Sequence, residues 1–196
     1  KKKNYKKMKK LTIYRHGEYD KRLHLLPQSA YELFSQAKKL KDELGPVEAI
    51  YVSPVIRALQ SAAVIQLVMQ AETFKRRPQL ADYNAAIMRP FAEEFAEDVR
   101  FNHPGAEHIL WVTHEPNIHA LFCKDIYMGE SFTVQAEAWN DIFKTDRREI
   151  TTPLSRIEAR TKDSNEAMEM LKAFYCDDCT DDERRMIDDR LSFFTY

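Results

Sequence analysis

L-T-I-Y-R-H-G-E, from Leu11 to Glu18, is a short β-prone run that ends abruptly in polar residues. Leu11, Ile13 and Tyr14 favour a strand, and Arg15-His16-Gly17 stops it, because glycine and two polar side chains punctuate such a run. A fixed cation and an imidazole thus stand side by side at a strand's C-terminal end. In an open α/β sheet the loops leaving those ends form the crevice that binds ligands. Alone, an Arg-His-Gly tripeptide reads better as an ordinary polar loop, so the weight falls on the sequence around it.

Downstream, Tyr19 to Leu26 is irregular and partly basic. Pro27 suits the first turn of a helix, and Ala30, Leu33, Phe34, Ala37, Leu40 and Leu44 keep helical spacing until Gly45-Pro46. Glu48 to Val52 reads as a second strand, so strand, helix and strand follow within the length of a right-handed crossover, which implies parallel strands. Val55 to Glu72 again carries apolar residues at helical spacing and puts Arg57 in its first turn, where a cation beside a helix N-terminus makes a site for a phosphate-sized anion. A surface role for Arg57 is the plainer alternative. Thr73 to Leu80 holds a possible short strand, and Phe91 to Arg100 a short acidic helix. His108 to Thr113 (H-I-L-W-V-T) is the clearest buried strand. It too ends at a histidine, His114-Glu-Pro-Asn117, with a helix expected from Pro116 through Ile126.

The remaining sequence is less legible. Ser131 to Phe143 fits an edge strand followed by a helix, and Ile150 to Arg160 is ambiguous. Ser164 is placed to cap a helix running to Phe174, and Thr180 with Glu183 has the capping-box pattern before a last helix, Arg184 to Phe194. The expected architecture is α/β, a three-layer sandwich whose mostly parallel central sheet is flanked by helices. Its parts are a disordered basic leader (1–10), an α/β domain (11–145) and a helical C-terminal extension packed on it (146–196).

A chain of 196 residues with a net charge of −1 suits one domain plus an appendage and argues against a global nucleic-acid footprint, so anion-binding charge must be local. The seven lysines between Lys1 and Lys10 read as a solvated terminus; the sequence begins without Met, and Met8 stands as a candidate start. No apolar stretch reaches membrane-spanning length, and the leader runs into strand-like sequence rather than a signal-peptide core. No membrane and no nucleic-acid partner is therefore expected. Three cysteines, an odd number, suggest free thiols in a reducing, cytoplasmic setting, with Cys176 and Cys179 flanking a turn rather than holding a metal.

Collected at one sheet edge, Arg15, His16, Arg57 and His114, with Asp82 and Glu115 as carboxyls, form the set that phosphoryl transfer needs. Charge spreads over the equatorial oxygens in its transition state, so guanidiniums that stay charged do most of the work. A neutral histidine can attack phosphorus covalently, and a carboxylic acid can protonate the leaving oxygen.

These residues resemble the histidine phosphatase superfamily, also called phosphoglycerate mutase-like. The likeness rests on R-H-G-E at Arg15 to Glu18, S-P-V-I-R-A-L-Q-S-A at Ser53 to Ala62, T-H-E-P-N-I at Thr113 to Ile118, and L-L-P-Q-S at Leu25 to Ser29, where Leu26 and Ser29 depart from the family's Leu-Thr-Pro-x-Gly. It covers roughly Leu11 to Asp125. The resemblance implies a metal-independent phosphatase without cofactor. His16 becomes phosphohistidine, and Arg15, Arg57 and His114 form the phosphate pocket, with Arg22, Gly17 and Glu115 at the substrate-binding edge. As proton donor it implies Asp82, in Leu80-Ala-Asp82, ahead of Glu115. Only thirty-one residues separate Asp82 from His114, which leaves no room for a large cap domain and points to the small phosphohistidine phosphatase and phosphomonoesterase branches. The substrate expected is a phosphorylated small molecule or phosphoprotein. A mutase-type phosphotransferase and a non-catalytic phosphate-binding scaffold are the alternatives. Oligomeric state is not legible.

Overall fold

The structure is a computed structural model that describes residues 7–81, 85–162 and 165–194. Strand β1 (Lys9–Arg15) is followed by α1 (Pro27–Leu44), β2 (Ala49–Val52), α2 (Ile56–Met69), β3 (Thr73–Arg76), α3 (Met88–Asn102), β4 (His108–Thr113), α4 (Glu115–Phe122), β5 (Ser131–Ala136) and β6 (Glu149–Thr151). Helices α5 (Arg156–Lys162), α6 (Asn165–Phe174) and α7 (Asp181–Ser192) complete the chain. The strands form one sheet in the order β3-β2-β4-β1-β5-β6. β3, β2, β4 and β1 are parallel, while β5 runs antiparallel to β1 and β6 antiparallel to β5.

Because β4 is central and covered on both faces, all six of its residues are buried, which explains why Ile109 to Val112 are apolar without alternation. Ile109 and Trp111 pack in the same core cluster as Phe91, Phe95 and Ile118 of α3 and α4. Leu110 and Val112 turn the other way, into the cluster built from α1 and α2. The first layer is aromatic: Phe95 meets Trp111 edge-on at 4.7 Å, and Phe143 stacks on the indole at 5.7 Å. Helices on both faces of a mostly parallel sheet give the three-layer α/β sandwich.

Register sets the functional edge. Arg15 pairs with Thr113 and Val52 with Val112, so β1, β2 and β4 end at one level. The His16 amide donates to the Thr113 carbonyl (3.1 Å) and the Ser53 amide to the Val112 carbonyl (3.1 Å), which carries the pairing one residue past each strand.

Several elements differ from the sequence reading. Lys9 and Lys10, expected in the basic leader, belong to β1: the pairing continues to Ala136, and their ammonium groups reach the Ala106 and Leu44 carbonyls (2.8 and 3.3 Å). Helix α3 starts at Met88, ahead of Phe91, since Pro90 is tolerated in a first turn. Helix α4 stops at Phe122, where Cys123 turns left-handed (φ 50°), so the buried Ile126 lies in the following loop. The strand from Ser131 is not an edge; it lies between β1 and β6, and Glu149–Thr151 takes the outer place. Trp139–Asp141 forms a 3-10 turn in place of a second helix.

In the extension, Thr180 and Glu183 make both bonds of the capping box. Ile187 is fully buried, and Lys38 of α1 pairs with Glu183 at 3.1 Å, which seats α7 on the α1 and α2 side. Ser164 lies outside the described residues. The three cysteines are free thiols, and among the described residues no helix is long and apolar enough to cross a membrane.

Candidate active site

His16 follows directly from β1, Arg57 is the second residue of α2, and His114 joins β4 to α4. All three side chains are buried or nearly so, with relative exposures of 4%, 9% and 1%. The imidazole centroids of His16 and His114 are 4.9 Å apart. Between them, Arg57 Nε donates to His16 Nε2 at 3.1 Å, and an Arg57 terminal nitrogen lies 3.4 Å from His114 Nδ1. Three segments separated by up to a hundred residues therefore share one pocket.

The bonds fix the state of the rings. A carbonyl only accepts, so His16 Nδ1, 2.9 Å from the Gly17 carbonyl, carries the proton. A guanidinium only donates, so Nε2 keeps its lone pair. His16 is thereby a neutral imidazole whose outward nitrogen is the basic one, the form that a nucleophile needs. On His114, Nδ1 faces the Arg57 donor and Nε2 lies 2.8 Å from Ser53 Oγ.

Helices α2 and α4 both begin at this pocket, and neither N-cap residue, Val55 or His114, supplies a side-chain cap. A helix N-terminus beside a guanidinium favours a tetrahedral anion, and α2 begins here with Arg57 in its first turn.

Arg15 is placed differently. Its guanidinium donates to the Ile126 carbonyl (2.7 Å) and pairs with Glu115 (3.1 Å), so it borders the pocket through the residue that follows His114. Burial raises the Glu115 carboxyl above the ordinary glutamate value; the Arg15 charge opposes the shift, and the neighbouring Asp125 adds to it. Glu115 consequently holds its proton to higher pH than a solvated glutamate, as a leaving-group acid must. Asp82 lies outside the described residues, although the segment leading to it is anchored here: Asn117 Nδ2 donates to the Leu80 and Ala81 carbonyls, both at 2.9 Å, and Thr113 Oγ1 to Leu80 at 2.8 Å. Arg22 is exposed on the loop after Glu18, with its backbone amide on Asp20 Oδ1 (2.8 Å), and among the described residues no bond of its side chain to the histidine pair is seen.

Gly17 is buried, and its amide donates to Ser61 Oγ (3.0 Å), whose hydroxyl in turn bonds the Arg57 carbonyl (2.7 Å). Ser29 Oγ accepts from the Glu18 amide at 2.9 Å, which ties the start of α1 to the loop. Tyr19 covers the pocket from the same loop: its ring lies 4.9 Å from the Arg57 guanidinium carbon and meets His16 edge-on at 5.4 Å. Gln60 pins the loop by accepting from the Leu25 amide (2.7 Å). Sequence reasoning singled out none of Tyr19, Ser29, Ser53, Gln60 and Ser61 as site residues. Ser29, Ser53, Gln60 and Ser61 lie within stretches quoted above for the resemblance, and Ser61 also stands one helix turn from Arg57 on the same face.

No family model matches this sequence, and no curated protein matches it either. Solved structures do. A Nakamurella multipartitia protein assigned as a SixA phosphohistidine phosphatase superimposes with a TM-score of 0.58 at 16% identity, covering 74% of this chain and 94% of that one. The protein histidine phosphatase SixA in complex with tungstate gives 0.57 at 15% identity, covering 72% and 94%. A mycobacterial glucosyl-3-phosphoglycerate phosphatase gives 0.53 at 14%, covering 74% and 97%. Identities this low speak for architecture, and in architecture this chain has the fold of the histidine phosphatases.

Proposed function

We propose that this protein is a phosphatase that hydrolyses phosphomonoesters or phosphohistidine through a covalent phosphohistidine on His16. The observation that carries the reading is the contact of His16, Arg57 and His114 in a pocket where His16 Nε2 holds a lone pair. In the first step Nε2 attacks phosphorus, the bond from phosphorus to the leaving oxygen of an ester, or to the leaving nitrogen of a phosphohistidine substrate, breaks, and a carboxylic acid, Glu115 or Asp82, gives that atom its proton. In the second step water attacks the phosphohistidine, its proton passes to the same carboxylate, and the P–N bond breaks to release phosphate. The fixed charge of Arg57 supplies the electrostatic stabilisation that a metal ion would otherwise give, so turnover is expected to be independent of metal. Arg57 and the N-terminus of α2 stabilise the equatorial oxygens in both steps. Arg15, oriented through Glu115, contributes charge at the rim. The free thiols suit a cytoplasmic setting.

The test is turnover of p-nitrophenyl phosphate in EDTA, together with acid-labile labelling from a phosphodonor. The intact protein should do both, and His16→Ala should do neither. Undiminished turnover in that variant ends the assignment. A panel of phosphohistidine protein, sugar phosphates and phosphoglycerates then identifies the substrate.

A further inference from the structure

We infer that Arg156, the first residue of α5 in the C-terminal extension, is a positioning residue for the loop that carries His16; the inference deepens the proposed function and rests on it. Residues 126–130 form the backing of that loop. The Gly129 amide donates to the carbonyls of His16 (2.9 Å) and Arg15 (3.2 Å), the Arg15 amide donates to the Glu130 carbonyl (3.0 Å), and the Arg15 side chain reaches the Ile126 carbonyl. Gly129 adopts a φ of 80°, and a Cβ there would lie 3.9 Å from Gly17 Cα, so the two glycines face each other closely. Whatever holds 126–130 therefore holds His16.

What holds it is a buried carboxylate. Glu130 is 1% exposed, and it accepts from the Tyr127 amide (2.7 Å) and from the Arg156 amide. The Arg156 side chain then reaches the same loop two residues past His16, 3.6 Å from Glu18, while a second terminal nitrogen pairs with Glu32 of α1 at 2.6 Å. Its guanidinium lies over the rings of Tyr175 (4.5 Å) and Tyr127 (5.8 Å), and Arg160, one turn further on, covers Tyr127 at 5.1 Å. The Arg156 side chain thus holds the loop from behind, over Tyr127, and two residues past His16, through Glu18, while its backbone amide secures Glu130. Anchoring the extension alone would need only the shorter Glu32 pair. A planar fork can serve Glu18 and Glu32 together while stacked on Tyr175, whereas an ammonium group cannot.

Arg156→Ala should lower kcat about tenfold with KM changed less than about twofold, because nucleophile alignment is lost while phosphate binding is kept. Arg156→Lys should restore less than half of that loss, and Glu18→Gln should reproduce part of it without adding to Arg156→Ala in the double variant. Glu32→Gln should leave kcat unaltered and lower only the melting temperature. Amide exchange at Gly17 and Glu18 reads the loop without reference to turnover, and it should accelerate about tenfold in Arg156→Ala and stay unchanged in Glu32→Gln. Unaltered exchange at these two amides in a folded Arg156→Ala protein overturns the inference, as does an equal kcat loss in Glu32→Gln. Failure of the phosphatase reading shows separately, as an intact protein without turnover or His16 labelling.

Discussion

Gly17→Ala places one methyl group where the site has no space for it. A Cβ at Gly17 would lie 2.6 Å from Leu25 Cδ1 and 3.0 Å from Leu33 Cδ1, and nearer still to Ser29 Oγ. Carbon atoms settle about 3.5 to 4.0 Å apart, so the loop or its surroundings must shift by about 1 Å. The surroundings are poorly free to do so: Ser29 Oγ holds the Glu18 amide at 2.9 Å, and the Leu25 amide is bonded to Gln60 at 2.7 Å. Overpacking of this kind costs about 1 to 3 kcal/mol, which a shifted urea midpoint should show. Because Gly17 adjoins His16 and its carbonyl orients the imidazole, the same shift moves Nε2 off the line of attack, and a misplacement of about 1 Å costs about 10²-fold in kcat. Adding Ser29→Gly removes the closest of the three contacts and should recover part of the stability. A Gly17→Ala protein with kcat within about threefold of the parent and an unmoved midpoint would refute this account of the loop.

Arg57→Lys keeps the charge but loses the fork that serves both imidazoles, and kcat on a small phosphate should fall about 10²-fold; a loss under threefold would remove Arg57 from the centre. Glu115→Gln and Asp82→Asn separate the proton donors: the true donor's loss should slow alkyl phosphates, with poor leaving groups, about 10²-fold or more and nitrophenyl phosphate far less. Equal slowing of both substrate classes by both variants would deny the role to either carboxyl. His108, away from the pocket, supplies a test of stability. Burial, helped by the Lys10 charge, pushes its pKa down from 6.5 to about 4, so between these values the unfolded chain binds the extra proton and the folded one does not. Stability is accordingly full above pH 6.5 and falls by about 3 kcal/mol on going to pH 4. Urea unfolding across that range should show this slope and its reduction in His108→Gln, and an identical slope in the variant would assign it to other groups.

Local chemistry explains why so much was readable. Helix α1 carries its start and stop in Pro27 and Gly45, α7 its capping box in Thr180 and Glu183, and β4 its central place in six consecutive residues suited to burial. These signals act within a few residues and need no partner. The less accurate readings concerned partners and element ends. Nothing local to Ser131–Ala136 says that a later three-residue strand will cover its outer side, and nothing local to Ile126 says that the helix has already ended.

The sequence by itself determined the chemical inventory: two histidines and two arginines at strand ends and helix starts, in an order that resembles a known family. Those residue types and their neighbours are properties of short stretches, and backbone preference places them without reference to the rest of the chain. Only the tertiary structure decided how they are used, with Arg57 between the two imidazoles and Arg15 turned to Glu115 and Ile126. It alone brought Ser29, Ser61 and Arg156 to the His16 loop. The physical reason is that hydrogen bonds and ring contacts extend only a few ångströms, while the residues that make them here lie as far as 138 positions apart in the chain, so strand register and packing, and not spacing along the sequence, select which of them meet.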